Sequence, residues 1–255
     1  MTNIKQENMA AEAYWDDFAD DYVAIQEVSE IPLPQTIAAF LKAQHLLPAD
    51  SLLDLGAGSG RFFGVFSPLV TNLIALDISA QMLRYGRQLA EKQQLNNITF
   101  SHAPWSSLAD QYQVADVVFA NMFGVPRDVL AMGQLSQLAK KSVVLGQFTA
   151  RRSQLDQQIS QAIALRSEPS VYTDQINQQR KLSLQALGQR FATKTFQFQT
   201  TESVAKALLL ADLADRIKPD QTTALQRQLN AMYQKKPILL DRIDYTYELI
   251  FWQPN

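Results

Sequence analysis

The chain contains no cysteine among its 255 residues. Disulfides, Cys-ligated zinc, iron–sulfur clusters and thiol nucleophiles are therefore excluded. Charge of one sign is also lacking: 23 Lys and Arg face 25 Asp and Glu, for a formal net charge of −2. That balance argues against a surface built to grip nucleic-acid phosphates, so no nucleic-acid partner is expected. Charged residues make up only 19% against 47% apolar ones, which supplies a large core and does not suit disorder. Long hydrophobic runs are missing as well. The nearest candidate, Ala205–Ala211, is interrupted by Lys206 and falls far short of the roughly 18–20 residues a membrane span needs. Met1 to Asn8 is polar, with no apolar h-region, so a signal peptide is not expected and a cytoplasmic location is. Glycine is scarce, nine in all. Three of those nine, Gly56, Gly58 and Gly60, alternate within one short segment.

Between Ser51 and Phe148, short β-branched or Leu-rich runs alternate with helical stretches. Strands are expected at Ser51–Leu55, Asn72–Asp77, Ile98–His102, Val114–Ala120 and Ser142–Phe148. Several are near-continuous apolar runs, as suits strands covered on both faces. Ser79–Gln94 carries Met82, Gly86, Leu89 and Ala90 at helical spacing. The alternation predicts right-handed βαβ units in a doubly wound parallel sheet. Upstream, Tyr14, Phe18, Tyr22 and Ile25 share a helical face, Pro32 and Pro34 read as breakers, and Gln35–Gln44 reads as a second helix. Downstream, Leu155, Ile159, Ala162 and Ile163 mark one amphipathic helix, and Leu225, Leu229, Met232 and Tyr233 another. Two late strands are expected at Phe191–Gln199 and at the alternating Ile243–Trp252. One domain over 1–255 is the expectation, with helical additions at 150–190 and 200–242.

The most informative segment runs from Leu52 to Arg61, where a buried strand leads into the three glycines and then a helix. Glycine serves where backbone must turn sharply or approach a ligand without a Cβ in the way. The helix N-terminus beyond offers unpaired N–H groups to an anionic group. Spacing selects the ligand class. The dinucleotide pattern G-x-G-x-x-G needs its third glycine where Arg61 stands, and no Gly-Lys-Ser/Thr follows for a Walker loop. What stands is G-x-G-x-G two residues after Asp54. The plain structural alternative is a tight turn that holds no ligand.

Leu53-Asp54-Leu55-Gly56-Ala57-Gly58-Ser59-Gly60 resembles motif I of the class I S-adenosylmethionine-dependent methyltransferases. Ala75-Leu76-Asp77-Ile78-Ser79-Ala80-Gln81-Met82-Leu83 resembles their second motif, and Ala115 to Met122 their fourth-strand motif. The resemblance implies a doubly wound, seven-stranded α/β sheet, mostly parallel with an antiparallel last strand. An N-terminal lid helix and helical additions after the fifth and sixth strands complete it. It implies S-adenosylmethionine as the cofactor. Gly56, Ala57, Gly58 and Gly60 would cradle it, Asp77 would accept both ribose hydroxyls, and Ile78 would lie against an adenine face. Met82, Trp105 and Asn121 complete the expected cofactor set, with Tyr14 and Tyr22 of the lid, Tyr22 being the better placed of the two. For Asp77 the alternative is a helix N-terminal charge, and for Met82 an ordinary core side chain. One departure stands out: where the family often carries Gly-Asp-Ala after the third strand, this chain has Ala103-Pro104-Trp105.

Methyl transfer is an in-line displacement that needs an aligned nucleophile and no obligatory triad. Of the two histidines, His102 ends the third strand and is a possible base, although a lone His there is more often structural. No catalytic residue is assigned and no metal is expected. The fourth-strand segment Asn121-Met122-Phe123-Gly124 differs from the Asn/Asp-Pro-Pro-Tyr/Phe of amino-directed DNA methyltransferases. Leu155–Ile163 and Val204–Asp215 would emerge beyond the strand ends and roof a pocket lined by Phe123 and Gln147, which suits a small-molecule acceptor. The alternatives are a non-catalytic cofactor-binding sensor or scaffold and, more weakly, an RNA or protein methyltransferase. The oligomeric state is open.

Overall fold

The computed structural model describes residues 2–124, 126–165, 172–213, 216–234 and 236–255. Seven strands form one sheet in the order β3-β2-β1-β4-β5-β7-β6. They are β1 (Ala49–Leu55), β2 (Val70–Asp77), β3 (Ile98–His102), β4 (Ala115–Asn121), β5 (Ala139–Ser153), β6 (Ala192–Ala205) and β7 (Ile238–Trp252). The first five pair in parallel, with Leu53 beside both Ile74 and Val118. β7 runs against its neighbours. Along β5, Thr149 and then Ser153 bond to Thr246 and then Asp241, so the numbers fall on one strand as they rise on the other. The doubly wound sheet with an antiparallel last strand is the expected architecture.

Ten helices accompany the strands among the described residues: α1 (Thr2–Asp17), α2 (Ala19–Glu27), α3 (Leu33–Ala43), α4 (Phe63–Phe66), α5 (Ala80–Lys92), α6 (Val129–Leu138), α7 (Gln154–Ile163), α8 (Gln175–Ala186), α9 (Lys206–Leu213) and α10 (Thr222–Tyr233). No described helix is long and apolar enough to cross a membrane. Side-chain caps fix three helix starts. Ser79, Asp128 and Ser153 accept from the backbone N–H groups of Met82, Ala131 and Asp156. The two prolines before α3 do not break it. Pro32 caps the helix and Pro34 sits in its first turn, where a missing N–H costs nothing. The amphipathic N-terminal segment is two helices meeting at Phe18, across which the bonds from Phe18 N to Tyr14 O and from Tyr22 N to Phe18 O persist.

Contacts divide the chain into two compact units. The first comprises Met1–Gln147, Gln175–Lys194 and Glu248–Asn255. Its core joins Leu53, Leu55, Val118 and Val143 of the sheet to Met132 and Leu135 of α6 and Leu184 of α8. The second comprises Phe148–Asp174 and Thr195–Tyr247, with its own core of Ile159, Leu165, Leu209, Leu213, Leu225 and Leu229. The expected addition at 150–190 is thereby shared out: α7 belongs to the second unit and α8 to the first. In the expected cap segment Val204–Asp215, Val204 and Ala205 end β6, Lys206–Leu213 is helix, and positions 214 and 215 lie outside the described residues.

Candidate active site

The first strand of the parallel set, β1, delivers Leu55 into a loop whose three glycines all have positive φ: +74° at Gly56, +55° at Gly58 and +87° at Gly60. An L side chain pays for that backbone region, so glycine belongs there. The N–H groups of Gly56 and Ala57 both donate to Leu76 O, at 2.9 and 3.0 Å, which ties the turn to the end of β2. Ala57 is buried. A Cβ on Gly56 would fall 2.7 Å from the Phe123 ring, and one on Gly60 would fall 2.4 Å from that of Phe63. At Gly58 a Cβ would make only an ordinary van der Waals contact, with Tyr22 Cε1 at 3.8 Å. The middle glycine would thus admit a Cβ without a clash, while the outer two are packed.

Asp77 closes the loop from the next strand. Its Oδ2 accepts from Gly58 N and its Oδ1 from Ser79 N, both at 2.8 Å. Burial pushes its carboxyl above the ordinary range, and those N–H bonds pull part of the way back. Asp54, at the end of β1 and only 2% exposed, is pushed up to about 8, first by burial and then by the nearby Asp77 carboxylate. Motif spacing marked Asp54 only as the residue before the glycines, and its chemical weight appears once the two carboxyls share one buried edge. A cationic ligand here would favour the ionised form of Asp54. The sign follows: binding a cation at pH 7 expels a proton, and affinity rises with pH up to about 8. Calorimetry with S-adenosylmethionine in phosphate and in Tris at pH 7 is expected to report release of about one proton. Asp54→Asn should abolish that release, and an unchanged release in the variant would assign it elsewhere.

The N-terminal helices are fastened over this edge by a polar stripe that an apolar-periodicity reading passes over. Glu12, Asp16 and Asp20 recur every fourth residue. Glu12 Oε1 accepts from His102 Nε2 at 2.9 Å, Asp16 Oδ1 from Ser79 Oγ at 2.6 Å, and Asp20 Oδ1 from the Tyr85 hydroxyl at 2.6 Å. Gln26 Oε1 accepts from Ser59 Oγ at 3.1 Å. His102 Nε2 also faces Ile78 O at 3.0 Å, and since both partners are acceptors this nitrogen carries the proton. His102 therefore acts as a latch, and its Nε2 is committed. Tyr22 is half-buried against Gly58, and burial raises its hydroxyl above the usual range while Arg61 pulls it down. Tyr14 is not brought to the loop. It is 60% exposed and lies against Trp15 and Phe18.

Beside the latch lies a cavity of about 360 Å³ lined by Ile78, Pro104 and the α1 residues Ile4, Asn8, Met9 and Glu12. Ile78 thus sits in a cavity wall. Met82 does not; it is 2% exposed and belongs to the core, because its Cβ lies on the inward face of α5. Trp105 opens a short 3-10 turn and packs partly buried against the main core.

Asn121 ends β4 and pairs with Gly146, which sets Gln147, within β5, just past the level of the carboxyl end of β4. Gln147 is buried, and its Oε1 has no hydrogen-bond partner among the described residues. Phe123 leans on the Gly56 turn, and its loop is held from α8. Arg180, 1% exposed, donates to the carbonyls of Phe123 and Pro126 and to Asn177 Oδ1, while Asn177 and Lys181 both donate to Glu248. The site's sequence motifs gave no hint of Arg180. Arg180→Met would leave three acceptors without a donor, so a loss of about 3–5 kcal/mol in denaturant unfolding is expected. A loss below about 1 kcal/mol would show that the clamp is dispensable. Among the described residues, no group of three or more His, Asp or Glu is placed to hold a metal ion.

Residues 47–201 match the family model described as a methyltransferase domain. A Haemophilus influenzae protein named only as uncharacterized is 32% identical over 124 residues, which is 48% of this chain and 46% of that protein. A protein-L-isoaspartate O-methyltransferase of Roseobacter denitrificans is 31% identical over 102 residues, 40% of this chain and 46% of that protein. The chain thus spans just under half the length of the curated relatives it matches. Among solved structures, the magnesium protoporphyrin IX methyltransferase of Synechocystis PCC 6803, with bound SAH, superposes with a TM-score of 0.54 at 17% identity, over 76% of this chain and 93% of that one. That likeness is one of fold.

Proposed function

The chain belongs to the methyltransferase-domain family, with the class I fold and S-adenosylmethionine as cofactor, and on that premise we propose that it methylates a small-molecule acceptor. The observation that carries the acceptor reading is Gln147, a buried side chain level with the carboxyl end of β4 whose Oε1 has no partner among the described residues. Ligands of open α/β sheets bind beyond those strand ends, and a buried orphan acceptor costs about 1–3 kcal/mol unless a donor reaches it. An acceptor molecule bearing an N–H or O–H supplies that donor.

The site fits the cofactor on three counts. Gly58 keeps its backbone bare at a positive φ beside Tyr22, two buried carboxyls suit a cationic ligand, and the Ile78–Pro104 cavity offers an apolar slot for a purine. Bound there, S-adenosylmethionine supplies an electrophilic methyl carbon on a good leaving group. Residues of the chain then have three tasks. Asp77 orients the ribose while it holds Gly58, Tyr22 and the latched helices exclude water, and Gln147 with Phe123 aligns the acceptor. With Pro104 in place of a carboxylate, the purine edge is left to Asn8 and to backbone groups.

The experiment is transfer of labelled methyl from S-adenosylmethionine into fractionated cell extract. Label in the small-molecule fraction supports the reading. Label confined to protein or RNA would replace it with a macromolecular acceptor, such as the protein carboxylate implied by the name of the Roseobacter relative. Binding without any transfer would favour a sensor or scaffold.

A further inference from the structure

β6 is the last strand of the sheet, bonded to β7 on one side and, among the described residues, to no strand on the other. An open edge invites another strand, and proteins usually guard it with charge, proline or a short length. This one is fourteen residues long and proline-free, and it carries just two charges, Lys194 and Glu202, of opposite sign. Lys194, Thr195, Gln197, Gln199, Thr201, Glu202 and Ser203 are exposed.

The order of residues along that edge is self-complementary about Phe198. Stepping outward on both sides, Gln197 matches Gln199, Phe196 matches Thr200, Thr195 matches Thr201, Lys194 matches Glu202, and Thr193 matches Ser203. When a strand pairs antiparallel with its own copy across a two-fold axis, residues symmetric about the axis become cross-strand partners. Like-kind Thr–Thr and opposite-charge pairs are the favourable ones. We propose that β6 is a homodimer edge: two copies join β6 to β6 antiparallel with the two-fold axis at Phe198, which sets Lys194 of each copy opposite Glu202 of the other.

The backbone supports that geometry. Gln197 and Gln199 are already splinted to β7, accepting from the Thr246 hydroxyl at 3.0 Å and donating to Asp244 at 2.6 Å, so the edge is held extended before a partner arrives. Phe196 and Phe198 stack at 6.4 Å with an interplanar angle of 20° on the alternate face. Pairing by a two-fold axis consumes both β6 edges, so the assembly closes at two copies and does not grow into fibres.

The absence of cysteine makes the test direct. Across the axis Phe198 faces itself, at a Cα separation of about 4.5–5.5 Å that a disulfide can bridge. Phe196 lies about 14 Å from its own copy, which no disulfide spans. Under mild oxidation the full chain with Phe198→Cys is expected to become a covalent dimer, while Phe196→Cys, a loss of the same ring from the same stack, stays monomeric. Lys194→Glu replaces two attractive pairs by two repulsive ones, so its dimer dissociation constant in sedimentation should rise at least tenfold over wild type. Lys194→Glu with Glu202→Lys should recover most of that loss. Equal crosslinking of both cysteine variants, or a wild-type chain that stays monomeric up to about 100 µM, would overturn the proposal; the second result would leave the edge to a strand from another protein.

Discussion

Asp77→Asn is expected to lower S-adenosylmethionine affinity by roughly a hundredfold in calorimetry, with the chain still folded. The carboxylate accepts from two backbone N–H groups at once, Gly58 N and Ser79 N. An amide can satisfy only one of them through its oxygen and turns an NH2 group toward the other donor. The middle glycine then loses the anchor that sets its N–H. The ribose hydroxyls lose a charge-assisted acceptor, and each such bond contributes about 1.5–3 kcal/mol. An affinity within a factor of about three of wild type, in a variant with an unchanged circular dichroism spectrum, would remove Asp77 from the cofactor site.

The glycines are expected to separate stability from binding. Gly60→Ala sets a methyl 2.4 Å from the ring of Phe63, which is fully buried and cannot retreat, at a φ of +87°. Left-handed strain of about 1–2 kcal/mol and overpacking of about 1–3 kcal/mol combine there. The melting temperature should fall by roughly 10 °C. Gly58→Ala meets only an ordinary 3.8 Å contact with Tyr22, so its melting loss should be about a third of that. Its methyl, however, stands on the backbone that the cofactor would approach, and cofactor affinity should fall more than tenfold. Equal melting losses with equal affinities would mean that the loop is a structural turn and nothing more.

The parts of the fold that could be read from the chain were those whose chemistry repeats along it. Several of the five parallel strands are near-continuous apolar runs, and α5 shows its face through Met82, Gly86 and Ala90. Two helices of the first unit were illegible for opposite reasons. Val129–Leu138 is apolar nearly all round, so no stripe stands out. Gln175–Ala186 buries Asn177, Arg180 and Ser183 along with Leu184, a helical face made largely of polar groups. β5 continues through Arg151 and Arg152 because its later partners are on β7, which a search for apolar runs cannot see.

In the candidate site, the glycine turn was legible because its positive φ angles demand glycine at that spacing, and Asp77 because a carboxylate at the end of β2 can tie that turn down. Met82 misled, since the same motif position serves equally for packing. Tyr14 misled because a shared aromatic helical face does not say which ring turns inward; the acidic residues at 12, 16 and 20 fix the helix and leave Tyr14 outside. Asp54 and Gln147 draw their importance from burial, which only the assembled sheet reveals.

Hydrogen exchange on the full chain with and without S-adenosylmethionine tests the cofactor site most directly. Amides of 56–60 and 77–79 are expected to slow at least tenfold when the cofactor is present. They carry the glycine cradle and the Asp77 turn. Calorimetric binding accompanied by no slowing at those amides, or by slowing confined to the second unit, would contradict the placement of the cofactor at the Gly56–Gly60 edge.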